Sequence, residues 1–137
     1  MTAGRVLIAE DETIVRLDVR ETLESAGYAV CGEAADGLAA VELAERLRPD
    51  LIVIDAKMPK LDGVEASRRI LESQHVPIVM LTGYSYGDLI AGALEAGVAA
   101  YVVKPFAAAT LLEAATAVLR AGRRRGTLTY LDAPSGV

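Results

Sequence analysis

Leu51-Ile52-Val53-Ile54-Asp55 sets four aliphatic side chains directly before one carboxylate. A run without polar alternation reads as a parallel strand buried on both faces. Pro49-Asp50 separates it from what precedes. In an open α/β sheet, chemistry gathers outside the carboxyl ends of the strands. Asp55 therefore stands where a reactive group belongs, and the other strand ends decide what converges on it.

Working back toward the N-terminus, Leu38, Val41, Leu43, Ala44 and Leu47 form the apolar stripe of a helix that follows Asp36-Gly37. Tyr28 to Glu33, with Val30 and Cys31, reads as a second strand. Residues 13–26 carry Ile14, Val15, Leu17, Val19, Leu23 and Ala26 at mostly helical spacing, and Gly27 closes that helix. Arg5 to Ala9 is an apolar strand ending in Glu10-Asp11-Glu12.

Beyond Asp55, Pro59 and Gly63 mark a loop, and Val64 to Ser73 is helical, with Val64, Ile70 and Leu71 apolar. Pro77 to Leu81 is a strand ending in Thr82-Gly83. An alanine-rich helix spans Asp88 to Ala96, closed by Gly97. Val98 to Val103 is a strand ending in Lys104-Pro105, and Thr110 to Ala121 is the last helix. Along the final strand, Val98, Ala100 and Val102 share one face, and Ala99, Tyr101 and Val103 the other. Strand and helix alternate five times, which predicts a parallel sheet with helices on both faces. The expected organisation is one domain over 1–121 and a loose tail over 122–137, with a short ordered piece near Leu128 to Leu131.

Composition narrows the function. Hydrophobic residues make up 53% of the 137, enough for a real core. A net charge of −5 argues against a general polyanion-binding surface, so direct nucleic-acid binding is not expected. No apolar run is long enough to cross a membrane, and the N-terminus carries no secretory pattern. The single cysteine, Cys31, fits a reducing compartment, and the expected location is the cytoplasm. His75, the one histidine, stands in a loop without metal-binding companions and reads as structural or solvated. Arg123, Arg124 and Arg125 read as a solvated helix end.

Parallel strands bring Glu10, Asp11, Asp55, Thr82 and Lys104 to one sheet edge. Carboxylates this close raise one another's pKa, and a divalent cation relieves the repulsion. Mg²⁺, or Mn²⁺, suits carboxylate oxygens and bridges to phosphate. Lys104 and the Thr82 hydroxyl suit phosphoryl oxygens, and Asp55 can serve as nucleophile, as carboxylates form aspartyl phosphates.

These residues carry a resemblance. Glu10-Asp11 after Arg5-Val6-Leu7-Ile8, Asp55 ending its strand, Pro59-Lys60 and Asp62-Gly63 after it, Leu81-Thr82-Gly83, and Lys104-Pro105-Phe106 together resemble the receiver domain of two-component response regulators over about residues 4 to 121. The opening Ala9-Glu10-Asp11-Glu12 and Leu81 to Ser85 look most like receivers of ANTAR-type antiterminator regulators, without their RNA-binding output module. The resemblance implies a flavodoxin-like (βα)5 doubly wound sheet of strand order 2-1-3-4-5. It implies Asp55 as phospho-acceptor and Mg²⁺ on Asp11, Asp55 and the Lys57 backbone carbonyl, with Glu10 reaching it through water. Thr82 and Tyr101 become a switch pair, Lys104 the phosphate-binding lysine, and Pro105 a cis-peptide position. Glu10 departs from the pattern, where Asp is commoner.

The implied function is a phosphorelay switch. The donor is a sensor histidine kinase or phosphotransfer protein. The switched surface is the fourth helix, fifth strand and fifth helix, and its readers are a downstream protein or a homodimer. Such a chain catalyses only its own phosphorylation and dephosphorylation. Lys57 and Tyr84 flank the phosphoryl position as modulators, and their bulk predicts slow self-hydrolysis. The alternatives are a scaffold that works without phosphorylation, with a protein or nucleic-acid partner, and a Mg²⁺-dependent aspartyl phosphatase. The second is weakened because Lys57 stands where such enzymes need an acid.

Overall fold

The computed structural model describes residues 3–83, 87–121 and 129–130. Tyr84 and the arginines at 123–125 lie outside them. The elements are β1 (Gly4–Ala9), α1 (Thr13–Ser25), β2 (Tyr28–Ala34), α2 (Gly37–Leu47), β3 (Leu51–Asp55), α3 (Gly63–Ser73), β4 (Ile78–Thr82), α4 (Gly87–Ala96), β5 (Ala100–Val103), α5 (Ala108–Ala121) and β6 (Thr129–Tyr130). All strand pairs are parallel, in the order β2-β1-β3-β4-β5-β6. The first five reproduce the expected 2-1-3-4-5. The sixth adds backbone pairing at the edge, with Thr129 opposite Ala100 and Tyr130 opposite Tyr101. The ordered piece expected in the tail is thus a two-residue strand.

β3 lies inside the sheet, and every residue of it is buried. Leu51, Ile52, Val53 and Ile54 are fully buried, each contributing roughly 2 kcal/mol of transfer free energy. Period-2 alternation sends them to two cores. Ile52 and Ile54 pack with Ala40, Ala44, Ala66 and Ile70 of α2 and α3. Leu51 and Val53 pack with Val19 and Leu23 of α1 and with Leu111 and Val118 of α5. Alanines at these contacts let the helices lie close to the sheet.

Three parts of the periodic reading do not survive. Leu38, read into the apolar stripe of α2, is 48% exposed. On α1, Val19 and Leu23 are buried, but Ile14 is 83% exposed and Leu17 53%. One stripe cannot hold 14, 15, 17, 19 and 23 together, because a core-facing stripe covers little more than 100° of the helix. Val98 packs in the core that holds Tyr101, not in that of Ala100 and Val102. It precedes β5 and donates its N–H to the Ala93 carbonyl, so strand alternation does not govern it.

Local chemistry sets the helix starts on the functional edge. Asp36 and Asp62 cap α2 and α3, each accepting a backbone N–H at 2.8 Å, from Ala39 and Glu65. The loop after β3 folds back so far that Gly63 lies against the strand it left. Its N–H reaches the Ala56 carbonyl at 2.8 Å. A Cβ there would stand 2.0 Å from the Asp55 carbonyl oxygen, which is backbone and has nowhere to go.

Gly63→Ala is therefore expected to destabilise the fold by roughly 3 kcal/mol through overpacking. Gly87→Ala, where an added Cβ meets nothing within 4 Å, should leave the midpoint nearly unchanged. Thermal melts of the two variants compare them directly.

Candidate functional site

The sheet delivers four side chains to one place. Glu10 follows β1, Asp55 ends β3, Thr82 ends β4 and Lys104 follows β5. Glu10 is fully buried, Asp55 is 5% exposed and Thr82 2%. Backbone bonds hold the strand ends in register. The Ala56 N–H donates to the Leu81 carbonyl at 2.8 Å, and the Lys104 N–H to the Thr82 carbonyl at 2.7 Å. The Lys104-Pro105 peptide is cis, as expected. Asp11, Asp55, Lys57, Thr82 and Lys104 line a cleft of about 410 Å³, with Glu10 behind them. Tyr101 is buried one element away, in the core beneath α4.

Lys104 is the hub of the charges. Its Nζ lies 3.2 Å from Asp55 Oδ1, 3.3 Å from Glu10 Oε1 and 3.7 Å from Glu12 Oε1. Glu10 is held at its other oxygen by the Glu12 N–H, at 3.0 Å. Glu10, Asp11 and Asp55 each offer a carboxylate oxygen, and these lie within 4.8 Å of one another.

One ammonium does not balance this charge. Burial pushes the Glu10 carboxyl up to about 7, with the Asp55 charge adding to it against the Glu12 N–H and Lys104. Asp55 is raised as well, again chiefly by burial. Lys104 is raised despite its own burial, because Asp55 and Glu10 favour its charged form. Carboxylates this near, with oxygen donors and a cleft open to solvent, fit a hard divalent cation.

The profile of the response regulator receiver domain matches residues 6–116. The chain belongs to that family. It is 50% identical over 110 residues to the transcriptional regulatory protein PdtaR of Mycobacterium tuberculosis, covering 80% of this chain and 54% of PdtaR. It thus spans about half the length of that relative. The chemotaxis protein CheY of Thermotoga maritima is 32% identical over 111 residues, covering 80% of this chain and 92% of CheY. Among solved structures, a LuxR-family response regulator from Aurantimonas superposes with a TM-score of 0.82 at 34% identity, covering 93% of this chain and 91% of that one. The receiver domain of a putative NarL regulator from M. tuberculosis gives 0.80 at 27%, covering 91% and 100%. Receiver domains are signalling modules of two-component systems that bind Mg²⁺ at an acidic pocket, and this chain has an acidic cluster of Glu10, Asp11 and Asp55. No described helix is long and apolar enough to cross a membrane.

Of the residues expected at this receiver's site, Glu10, Asp11, Asp55, Lys57, Thr82 and Lys104 meet at one sheet edge. Two contributors were not legible. Glu12 reads as helix-end charge, yet its N–H orients Glu10 and its carboxylate faces Lys104. Arg16 carries no signal in the sequence, yet its Nη1 donates to the Glu10 carbonyl at 2.6 Å. The Arg16 contact, six residues apart, obeys no local spacing rule.

The raised Glu10 pKa fixes a sign. Between its ordinary 4.5 and about 7, the folded protein keeps a proton that the unfolded chain releases. Stability without metal should therefore fall as pH rises through that window, by at most about 3 kcal/mol, with Asp55 adding in the same direction. Chemical denaturation in chelator from pH 4.5 to 8 should show the decline, and Glu10→Gln should flatten it.

Proposed function

We propose that Asp55 accepts a phosphoryl group from the histidine of a sensor kinase or phosphotransfer protein, and that the chain is a phosphorylation-dependent switch. One observation carries this reading. A strand-end carboxylate, 5% exposed, sits 3.2 Å from a lysine ammonium, beside two further carboxylates, in an open cleft. An Oδ of Asp55 forms the new bond to phosphorus as the bond between phosphorus and the donor imidazole breaks. The imidazole nitrogen leaves with that electron pair and takes a proton from solvent.

Asp11, Asp55 and the Lys57 carbonyl would hold Mg²⁺, with Glu10 reaching it through water. The ion supplies neutralisation of the charge gathering on the phosphoryl oxygens. The protein's own groups do the remainder. Lys104, now shared between Asp55 and Glu10, turns to a phosphoryl oxygen. Thr82 donates its hydroxyl to another. Lys57, exposed two residues after Asp55, and Tyr84, two after Thr82, limit the approach of water.

Phosphorylation then acts on α4, β5 and α5. Tyr101 is 6% exposed, and drawing in Thr82 would stabilise that inward place. Gly92 inside α4 lowers its helix propensity, which suits that helix to shift. The readers are a downstream protein or a second copy meeting that face. Residues 1–121 make up the switch in this reading, with 122–137 as an appendage. Exposed Ile14 and Leu17, on α1 beside the acidic corner, offer an apolar surface to a protein that delivers the phosphoryl group. The chain acts on no substrate but its own aspartate.

Incubation with Mg²⁺ and acetyl phosphate, followed by intact mass measurement, should show one added phosphoryl group. Asp55→Asn should abolish the adduct. Lys104→Met should slow its formation at least tenfold, in line with loss of a preorganised charge. An adduct that survives Asp55→Asn would refute the assignment.

A further inference from the structure

A closed ring of contacts joins the acidic corner to the neighbouring strand end. The Glu10 N–H donates to the Ala34 carbonyl of β2 at 2.9 Å. The Glu10 carbonyl accepts from Arg16 Nη1 at 2.6 Å. Arg16 Nε reaches Glu33 Oε1 at 3.1 Å, and Glu33 is the residue before Ala34. Arg20, one turn along α1, pairs with the other oxygen of Glu33. Arg16 is itself anchored at the start of α1, where its N–H donates to the Glu12 carbonyl at 2.9 Å.

The carbonyl that Arg16 holds belongs to the peptide joining Glu10 to Asp11. With the Ala34 bond to the Glu10 N–H, this holds the peptide planes on both sides of the Glu10 Cα and the plane from which Asp11 departs. Glu12, the residue before α1, makes no side-chain cap, so the corner gains no order from the usual N-terminal device. A guanidinium suits the task, because its planar fork spans a carbonyl and a carboxylate at once.

We infer that Arg16 is a positioning residue for the metal-binding corner: by tying the Glu10 carbonyl to Glu33 it sets Glu10 and Asp11 to converge on Asp55. The inference rests on the metal-dependent reading above. Arg16 touches neither the phosphoryl position nor the carboxylates that would hold the ion. Its effect passes through the backbone.

The sign of the effect separates this role from plain electrostatics. Removing a positive charge near a cation site would, by charge alone, tighten cation binding. Removing a positioning group weakens it. Mn²⁺ binding to the full chain, followed by the electron paramagnetic resonance of the free ion, reads this without any phosphorylation. Arg16→Ala should weaken binding roughly tenfold, as loss of supporting contacts around ligands does. Arg16→Lys, whose single ammonium cannot span both partners, should fall between. Arg69→Ala, which removes the same charge from α3, should change little. Phosphorylation of Arg16→Ala by acetyl phosphate should need more Mg²⁺ for half-saturation, while the maximal rate is retained.

Equal or tighter Mn²⁺ binding by Arg16→Ala would overturn the role. If that variant does not fold, Arg16→Lys, which keeps the charge and so isolates positioning, carries the expectation of weaker binding and the same refutation. Absence of Mn²⁺ binding by the unmodified chain would overturn the metal reading and this inference together. Intact binding there with no change in the variants would overturn Arg16 alone.

Discussion

Everything at the functional edge depends on two buried carboxylates sharing one ammonium. Glu10 and Asp55 are almost without solvent, and Lys104 lies 3.3 and 3.2 Å from them. Water would stabilise both charges better than this pocket does, which is why both carboxyls titrate high. The arrangement is electrostatically incomplete as it stands. A group that is both dicationic and able to bring further negative oxygens would complete it, and a metal ion with a phosphoryl group answers that description.

The sheet supplies what makes such an incomplete site tolerable. β1, β3, β4 and β5 lie in the interior order of the sheet, with two apolar cores on their faces. Aliphatic residues along β3 and β4 leave no room for the strand ends to splay, and the ladder bonds at Ala56 and Lys104 tie the ends together. Repulsion among the acids is thus opposed by packing that lies behind them. Gly63 serves the same end. Without a side chain it lets the loop after Asp55 close against the strand.

Period and end position are the features that made the fold and most of the site legible in the sequence. A run such as Leu51 to Ile54 names its own strand, and its last residue names a place on the sheet edge. The strand ends alone bring Glu10, Asp11, Asp55, Thr82 and Lys104 together. Contacts between elements without a shared period were not legible. Arg16 meets the Glu10 carbonyl because α1 leaves the corner at one particular angle, and Glu33 meets Arg16 because β1 and β2 slip register between Val6 and Leu7. Ile14 and Leu17 show the opposite error. Apolar type alone assigned them to the core, although their angular position on α1 turns them to solvent. The parallel pairing of β6 on β5 is also a matter of tertiary position, since two residues carry no periodic signal.

Glu10 is the one residue of the set that departs from the family's commoner Asp, and its geometry supplies a reason. Its Oε1 reaches Lys104 while its Oε2 turns back to the Glu12 N–H. Lys104 enters from β5, two strands beyond β3, whereas Glu12 is on the same corner as Glu10. The extra methylene gives the carboxylate the reach to serve both at once. A shorter Asp on the same backbone would have to give up one partner, and inside this pocket a forfeited partner leaves a carboxylate oxygen unsatisfied. The longer side chain is therefore matched to a corner whose backbone is held fixed from behind by Arg16 and Ala34. Reach at the side chain and rigidity at the peptide are two halves of one solution.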